Sequence, residues 1–466
     1  MEAERDEQTP DDDRVVGEDV LAGDAPEPPA RPAAPRNPFR RRTDFVVAAL
    51  ILAVVVAVGA LIWRDSDVEA TTHEPAAQTA KMPEPPASFP PTLGEVWRAP
   101  SSATPVPVTA GPAVVTGDGG EVVGRDPESG DVRWRYAREI PLCTIGGFGK
   151  SSNTAVTVYR RNGNALPADD PRKEPGCSEV TELRGDNGKI EHQRNSDAER
   201  GTRLLSDGSY LTATGTKLID VYRSDMVISA QIGVIPALKN HDRQPQDGRE
   251  ASCAYGSIAV GSSKVGVIER CVAERDKRPA DPGDRLTVFR AGGKEGKESD
   301  EPQAVYSVVL GGTGARIVGV TDTHTAVALP NPPRLVVYSD EGKQATEHPL
   351  TIPPADLAGD PPGKVVATEQ APPDTLYWFT GSRTVALSTT DLRPLWSIEG
   401  TRGPGTVFAG RLLLPTADGI SVHDPANGTP IGVIRVDRGG YSGPVTMSSL
   451  GPMVLEQRGA TLVALR

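Results

Sequence analysis

The most constraining feature of this sequence is a degenerate unit that recurs from about residue 93 to the last residue, 466. Its clearest copy, DPESGDVRWRY (residues 126–136), sets Asp126 at the end of an apolar strand, Gly130 four residues on and Trp134 four beyond that. Further copies read VTELRGDNGKIEH (180–192), LVVYSDEGKQATEH (335–348), VALSTTDLRPLWSIEG (385–400) and ISVHDPANGTPIGVI (420–434). Weaker ones are LIDVYRSDMVISAQI (218–232) and LTVFRAGG (286–293), resuming at AVYSVVL (304–310). The physics of the unit is that of a hairpin. An Asp or Ser side chain bonds the backbone two residues on, a Gly supplies positive φ for the tight turn, and a second strand returns with an aromatic or aliphatic residue.

Upstream of the copies lies a second alternating apolar pair, as in RLLSDGSYLTAT (203–214), SIAVGSSKVGVIE (257–269), TLYWFTGSRTV (375–385) and TVFAGRLLLPTADG (406–419). Two hairpins per repeat make a four-stranded blade. Seven copies plus a final ATLVALR (460–466) predict an all-β fold, a β-propeller of about eight four-stranded blades, with seven as the other count. The last copy lacks its outer strand, and GEVWRAP (94–100) is available to supply it, with Trp97 in the place held by Trp134 and Trp396. Such sharing would shut the ring and remove free edges. A plain β-sandwich array is the competing architecture. The 49 glycines and 44 prolines, spread with Val and Thr, suit many short strands and turns.

The Asp126, Gly130, Trp134 pattern, echoed at Asp391 and Trp396 and at Asp424 and Gly428, resembles the pyrroloquinoline-quinone-like propeller repeat of the quinoprotein alcohol dehydrogenase-like superfamily. The resemblance spans residues 93–466 and implies fold more strongly than activity. Dehydrogenases of that superfamily hold quinone and calcium with acidic, Asn and Arg residues and often use a disulfide between adjacent cysteines. No two cysteines are adjacent here and no cofactor residue matches by position, so no cofactor is expected. The arrangement of tail, anchor, stalk and propeller looks like envelope proteins of actinobacteria, the high-GC Gram-positive bacteria.

Phe45 to Trp63 reads FVVAALILAVVVAVGALIW, 19 residues without a charge. At about 1.5 Å per residue that length matches a bilayer's hydrocarbon core, so residues 44–63 are expected to form one transmembrane helix. Arg36, Arg40, Arg41 and Arg42 precede it, which by the positive-inside rule leaves the N-terminus in the cytoplasm. A cleaved signal peptide is the alternative, but the long polar stretch before the apolar run exceeds an ordinary signal n-region. Residues 1–43, dominated by Asp, Glu, Pro and Ala, are expected to be a disordered acidic cytoplasmic tail. Residues 64–92 read as a Pro-rich stalk, and 93–466 as the extracytoplasmic propeller.

Cys143, Cys177, Cys253 and Cys271 all follow the apolar segment. An even number confined to the exported portion reads as two disulfides in an oxidising compartment. Sequence order favours Cys143–Cys177 and Cys253–Cys271 among the three connectivities. Free buried thiols are the other reading, and a zinc site lacks any CxxC spacing.

Formal net charge is −12. The first 63 residues hold 12 acids and 7 bases, leaving the remainder only mildly acidic and without a basic run. This argues against nucleic acid as a partner. Six histidines, His73, His192, His241, His324, His348 and His423, are dispersed, and no phosphate loop or nucleophile elbow is present. RGD at 184–186 falls on the repeat's own turn. The expected function is a non-enzymatic, membrane-anchored module binding a protein or cell-envelope component. The alternatives are an extracytoplasmic quinone-dependent oxidoreductase or hydrolase, and a ligand sensor.

Overall fold

The computed structural model describes residues 42–64, 66, 69–149, 153–160, 176–234, 253–272, 281–292, 302–371 and 374–466. The chain divides into two units, Met1–Asp65 and Ser66–Arg466. In the first, Arg42–Arg64 forms a 23-residue helix of mean hydropathy 3.2 with no buried residue, long and apolar enough to cross a membrane. Residues 1–41 of the expected tail lie outside the described residues. So do almost all of residues 161–176, 240–250, 274–283 and 292–302, four charged, Gly- and Pro-rich stretches.

The second unit is a propeller of eight blades, each a meander of antiparallel strands. Blades 1 to 7 occupy residues 108–138, 142–198, 204–233, 253–309, 316–349, 368–399 and 406–435. Blade 8 combines 445–465 with Glu95–Pro100, which pairs with Thr461–Leu465 and shuts the ring. Gly94 and Arg466 exchange backbone hydrogen bonds at 2.8 and 2.9 Å at the end of that pairing. The hairpins read as repeat copies are the third and fourth strands of blades 1 to 7. One phase differs. The pair at 375–385 supplies the second and third strands of blade 6, whose first strand is Thr368–Ala371, a polar stretch with no apolar alternation to mark it.

Burial follows from the ring. Alternate side chains of each blade face its two neighbours, and eight apolar clusters fill the eight interfaces. Trp134, Tyr136 and Tyr159 pack between blades 1 and 2, and Val114 meets Leu455 and Leu462 where blade 8 returns to blade 1. The outer-strand aromatic of one blade also covers the turn glycine of the next. Trp97 lies over Gly130 and Trp134 over Gly188, so close that a Cβ on either glycine would stand 2.7 or 2.6 Å from the indole. Both glycines have positive φ, 78° and 72°, a second reason for a glycine at that place in the turn. Each indole N–H donates to the second residue of that turn, Trp97 to Pro127 at 2.8 Å and Trp134 to Gly185 at 2.9 Å.

Blade 1 has a fifth strand. Thr71–Glu74 pairs antiparallel with Val132–Arg138, setting Thr71 opposite Arg138 and Glu74 opposite Arg135. Beyond it, the Ala76 and Ala80 amides donate to the Asn187 and Asp186 carbonyls, and the Phe89 ring meets Phe408 edge-on. The stretch read as a free stalk therefore lies along the propeller from residue 71 onward. Its composition is proline-rich on average, yet TTHE contains no proline and two β-branched residues, which is enough to add a strand to an open edge.

Candidate functional site

The first strands of successive blades approach one another and surround a central channel. One end of the ring carries the turns between first and second strands; the other carries the turns between second and third strands and the links from blade to blade. At that second end the link from blade 5 to blade 6, residues 350–367, forms a cover. It holds two short 3-10 turns, Pro354–Leu357 and Pro362–Lys364. Prolines at their first positions preset φ where no amide partner is needed.

Four blades grip the cover. Thr214 of blade 3 donates to the Gly363 carbonyl at 2.8 Å, and Arg270 of blade 4 pairs with Asp360 at 2.6 Å. Arg316 of blade 5 donates to the Asp356 and Ala358 carbonyls, both at 2.6 Å. From blade 6, Ser382 donates to the Asp356 carboxylate at 2.7 Å, and the Thr380 hydroxyl donates to the same group. Arg270 and Lys364 hold the Asp360 carboxyl below its usual range against the opposing effect of burial. Ile352, Leu357 and Val366 anchor the segment in the core between blades 5 and 6.

Below the cover, on the channel side of blades 3 to 6, lies a cavity of about 700 Å³. Aliphatic wall comes from Leu205, Ile258, Val260, Ile317, Val366, Leu376 and Leu392. Ser206, Ser262, Thr321, Thr323, Thr368, Gln370, Thr389 and Thr390 supply hydroxyls and one amide. Among the described residues Asp207 and Asp322 are the charged members of this lining. Asp207 is occupied by its own turn, accepting from the Ser209, Tyr210 and Ser263 amides at 2.7–2.9 Å. Glu369 stands opposite Tyr377 on the face of blade 6 that packs on blade 7, and burial pushes its carboxyl up to about 8. A second cleft, of about 620 Å³, separates the fifth strand of blade 1 from the outer strand of blade 2 and holds the Arg138–Glu179 ion pair at 2.7 Å.

The four cysteines form two bonds, Cys143 to Cys177 within blade 2 and Cys253 to Cys271 between directly paired strands of blade 4. None of them lines either cavity. Arg184 of the RGD tripeptide pairs with Asp186 at 2.8 Å, and Gly185 is the acceptor for Trp134. His423 is buried between Ser421 and the Gly428 carbonyl, and His192 bonds Glu182 at 2.8 Å. Among the described residues no three His, Cys, Asp or Glu side chains gather as metal ligands would. The channel residues were not singled out by sequence because each belongs to an ordinary inner strand or turn. The doubled prolines of residues 353–354 and 361–362 are the one signal that the connection into blade 6 is special.

No protein-family model matches this chain, and no curated protein sequence resembles it significantly. Solved structures that it resembles include BamB from Moraxella catarrhalis, 12% identical with a TM-score of 0.47, over 80% of this chain and 99% of that one. The C-terminal WD40 domain of Sif2 is 9% identical with a TM-score of 0.48, over 81% and 99%. Sqt1 of Saccharomyces cerevisiae is 11% identical with a TM-score of 0.46, over 83% and 99%. The chain is an eight-bladed β-propeller. That statement rests on its own strand pairing and ring closure.

Proposed function

We propose that this chain is a single-pass membrane protein whose propeller lies outside the cytoplasm and acts as a non-enzymatic binding module for a protein or envelope component. The observation that carries the binding half is the chemistry of the channel. A cavity covered at one end by the chain itself and lined by hydroxyls, one amide and aliphatic side chains offers shape and neutral hydrogen bonding to a ligand. The apolar helix at Arg42–Arg64, the arginines before it and the disulfides after it support the anchor and its orientation. The ring-over-glycine turn supports kinship with PQQ-like propellers.

The test is affinity isolation of the full-length, detergent-solubilised protein from membranes of cells that express it, together with an absorption spectrum. A specific partner on a colourless protein is the expected result. A stoichiometric bound chromophore would turn the reading to an oxidoreductase. Protease protection of intact spheroplasts checks orientation, because digestion of the propeller from outside requires its exposure there.

A further inference from the structure

We propose that the channel cavity binds an extended peptide of about four residues, apolar where it lies under the cover and basic where it leaves the open end. This rests on the binding-module reading and names its ligand class. The inner strands of blades 3 to 6 are edge strands of their own sheets, so each turns one unladdered row of backbone groups towards the channel. A peptide lying along such a strand meets those groups with its own amides, the commonest way an extended segment is held by a sheet. The propeller already accepts an added strand at another edge, where Thr71–Glu74 completes blade 1.

Lining chemistry selects among ligands. Among the described residues Asp207 and Asp322 are its charges and no Lys, Arg or His lines it, so a phosphate, nucleotide or acidic peptide would lose its hydration without gaining a counter-charge from them. Among the described residues no aromatic ring lines it either, and a saccharide would find no stacking face there. What remains is a chain of neutral amides carrying aliphatic side chains for the wall of Ile258, Ile317, Leu376 and Leu392. Asp207 is consumed by three amides. Asp322, exposed on the blade 5 turn at the open end, accepts from Lys264 at its backbone carbonyl; among the described residues its carboxylate makes no bond and is placed to meet a basic residue.

The probe is acetyl-Ile-Val-Ile-Ser-Lys-Lys with fluorescein at its C-terminus, titrated by anisotropy against the full chain in detergent micelles. Saturable binding is expected. Gln370→Trp and, on another wall of the cavity, Thr389→Trp should each weaken it about tenfold or more by filling the space, and Asp322→Asn about threefold. Replacing both lysines of the probe by glutamate should abolish binding. Apparent melting temperatures identify any variant that fails to fold, and two independent filling variants keep one informative. No saturable signal up to about 1 mM peptide, or equal binding by the folded filling variants, overturns the proposal. Partner capture that persists in those variants would then leave the binding-module reading standing on another surface; loss of capture by the wild-type chain as well would remove both.

Discussion

The Tyr377 hydroxyl donates to the Pro425 carbonyl at 3.3 Å, taking in blade 7 the acceptor that Pro127 and Gly185 offer to an indole in blades 1 and 2. Trp396, whose ring covers Gly428 as Trp97 covers Gly130, is left with its indole nitrogen buried and unbonded among the described residues. A buried donor without a partner costs about 1–3 kcal/mol. Tyr377→Phe should therefore be close to neutral, within about 1 kcal/mol, because the freed carbonyl becomes available to Trp396. Trp134→Phe, which loses a made bond and leaves a void, should cost about 2–4 kcal/mol. Chemical denaturation of the two variants beside the parent checks the contrast.

Asp220 is fully buried between blades 2 and 3, accepting from Gln231 at 3.0 Å, Tyr222 at 3.1 Å and the Asp197 amide at 3.2 Å. Burial pushes its carboxyl up to about 6, above the unfolded value of about 3.8. A raised folded value means that its contribution is fully present below the unfolded value and is lost as pH rises through about 6. Asp220→Asn, with the Gln231 amide turned over to accept, should leave stability unchanged near pH 4 and raise it by about 2–3 kcal/mol above pH 7. Melting temperatures across that range should diverge only on the alkaline side. Equal shifts at both ends would show that packing, not ionisation, is being changed.

Glu369 follows the same sign at higher pH. Burial pushes its folded carboxyl up to about 8, so Glu369→Gln should flatten the decline in melting temperature between pH 5 and 8. A parent profile that is already flat over that interval would contradict the assignment.

The Glu456 carboxylate is fully buried between Arg438 and Arg458, 2.7 Å from each guanidinium. Removing its charge strands two buried cations. Glu456→Gln should destabilise by about 3–5 kcal/mol. The loss should change little between low and high salt, since buried pairs are weakly screened.

Reduction of the disulfides should also be visible. In the chain-entropy account, a bond closing 18 or 34 residues contributes about 3–4 kcal/mol. Cys253→Ser with Cys271→Ser should lower the melting temperature under oxidising conditions and make it insensitive to reductant at that site.

What could be read in advance tracked the physics of hairpins. Asp126, Gly130 and Trp134 are visible because a tight turn and its covering ring each demand a residue type at fixed spacing, and Trp97 revealed the closure by repeating the pattern at the wrong end of the chain. The strand at Thr71–Glu74 was hidden, since four mostly exposed residues carry no apolar alternation and their partner edge is known only after blade 1 exists. The cover was hidden for a related reason. Arg316 and Arg270 are separated from Asp356 and Asp360 by 40 and 90 residues, and nothing local signals that a backbone carbonyl will be the target of the first and a carboxylate that of the second. The cavity inherits that obscurity, because Gln370 and Thr389 matter only through what the ring brings beside them.

The four-residue strand on blade 1 also sets how the molecule bears tension. A pull on the chain from its N-terminal side reaches Thr71 before it reaches Glu95, so the short pairing with Val132–Arg138 meets the force first while the six-residue strand that shuts the ring is still slack. Peeling it away returns blade 1 to the four strands its neighbours have and passes the load to the Ala76, Ala80 and Phe89 contacts before it reaches Glu95. The fifth strand is thus the first pairing that such a pull would load, and the closure of the ring the last.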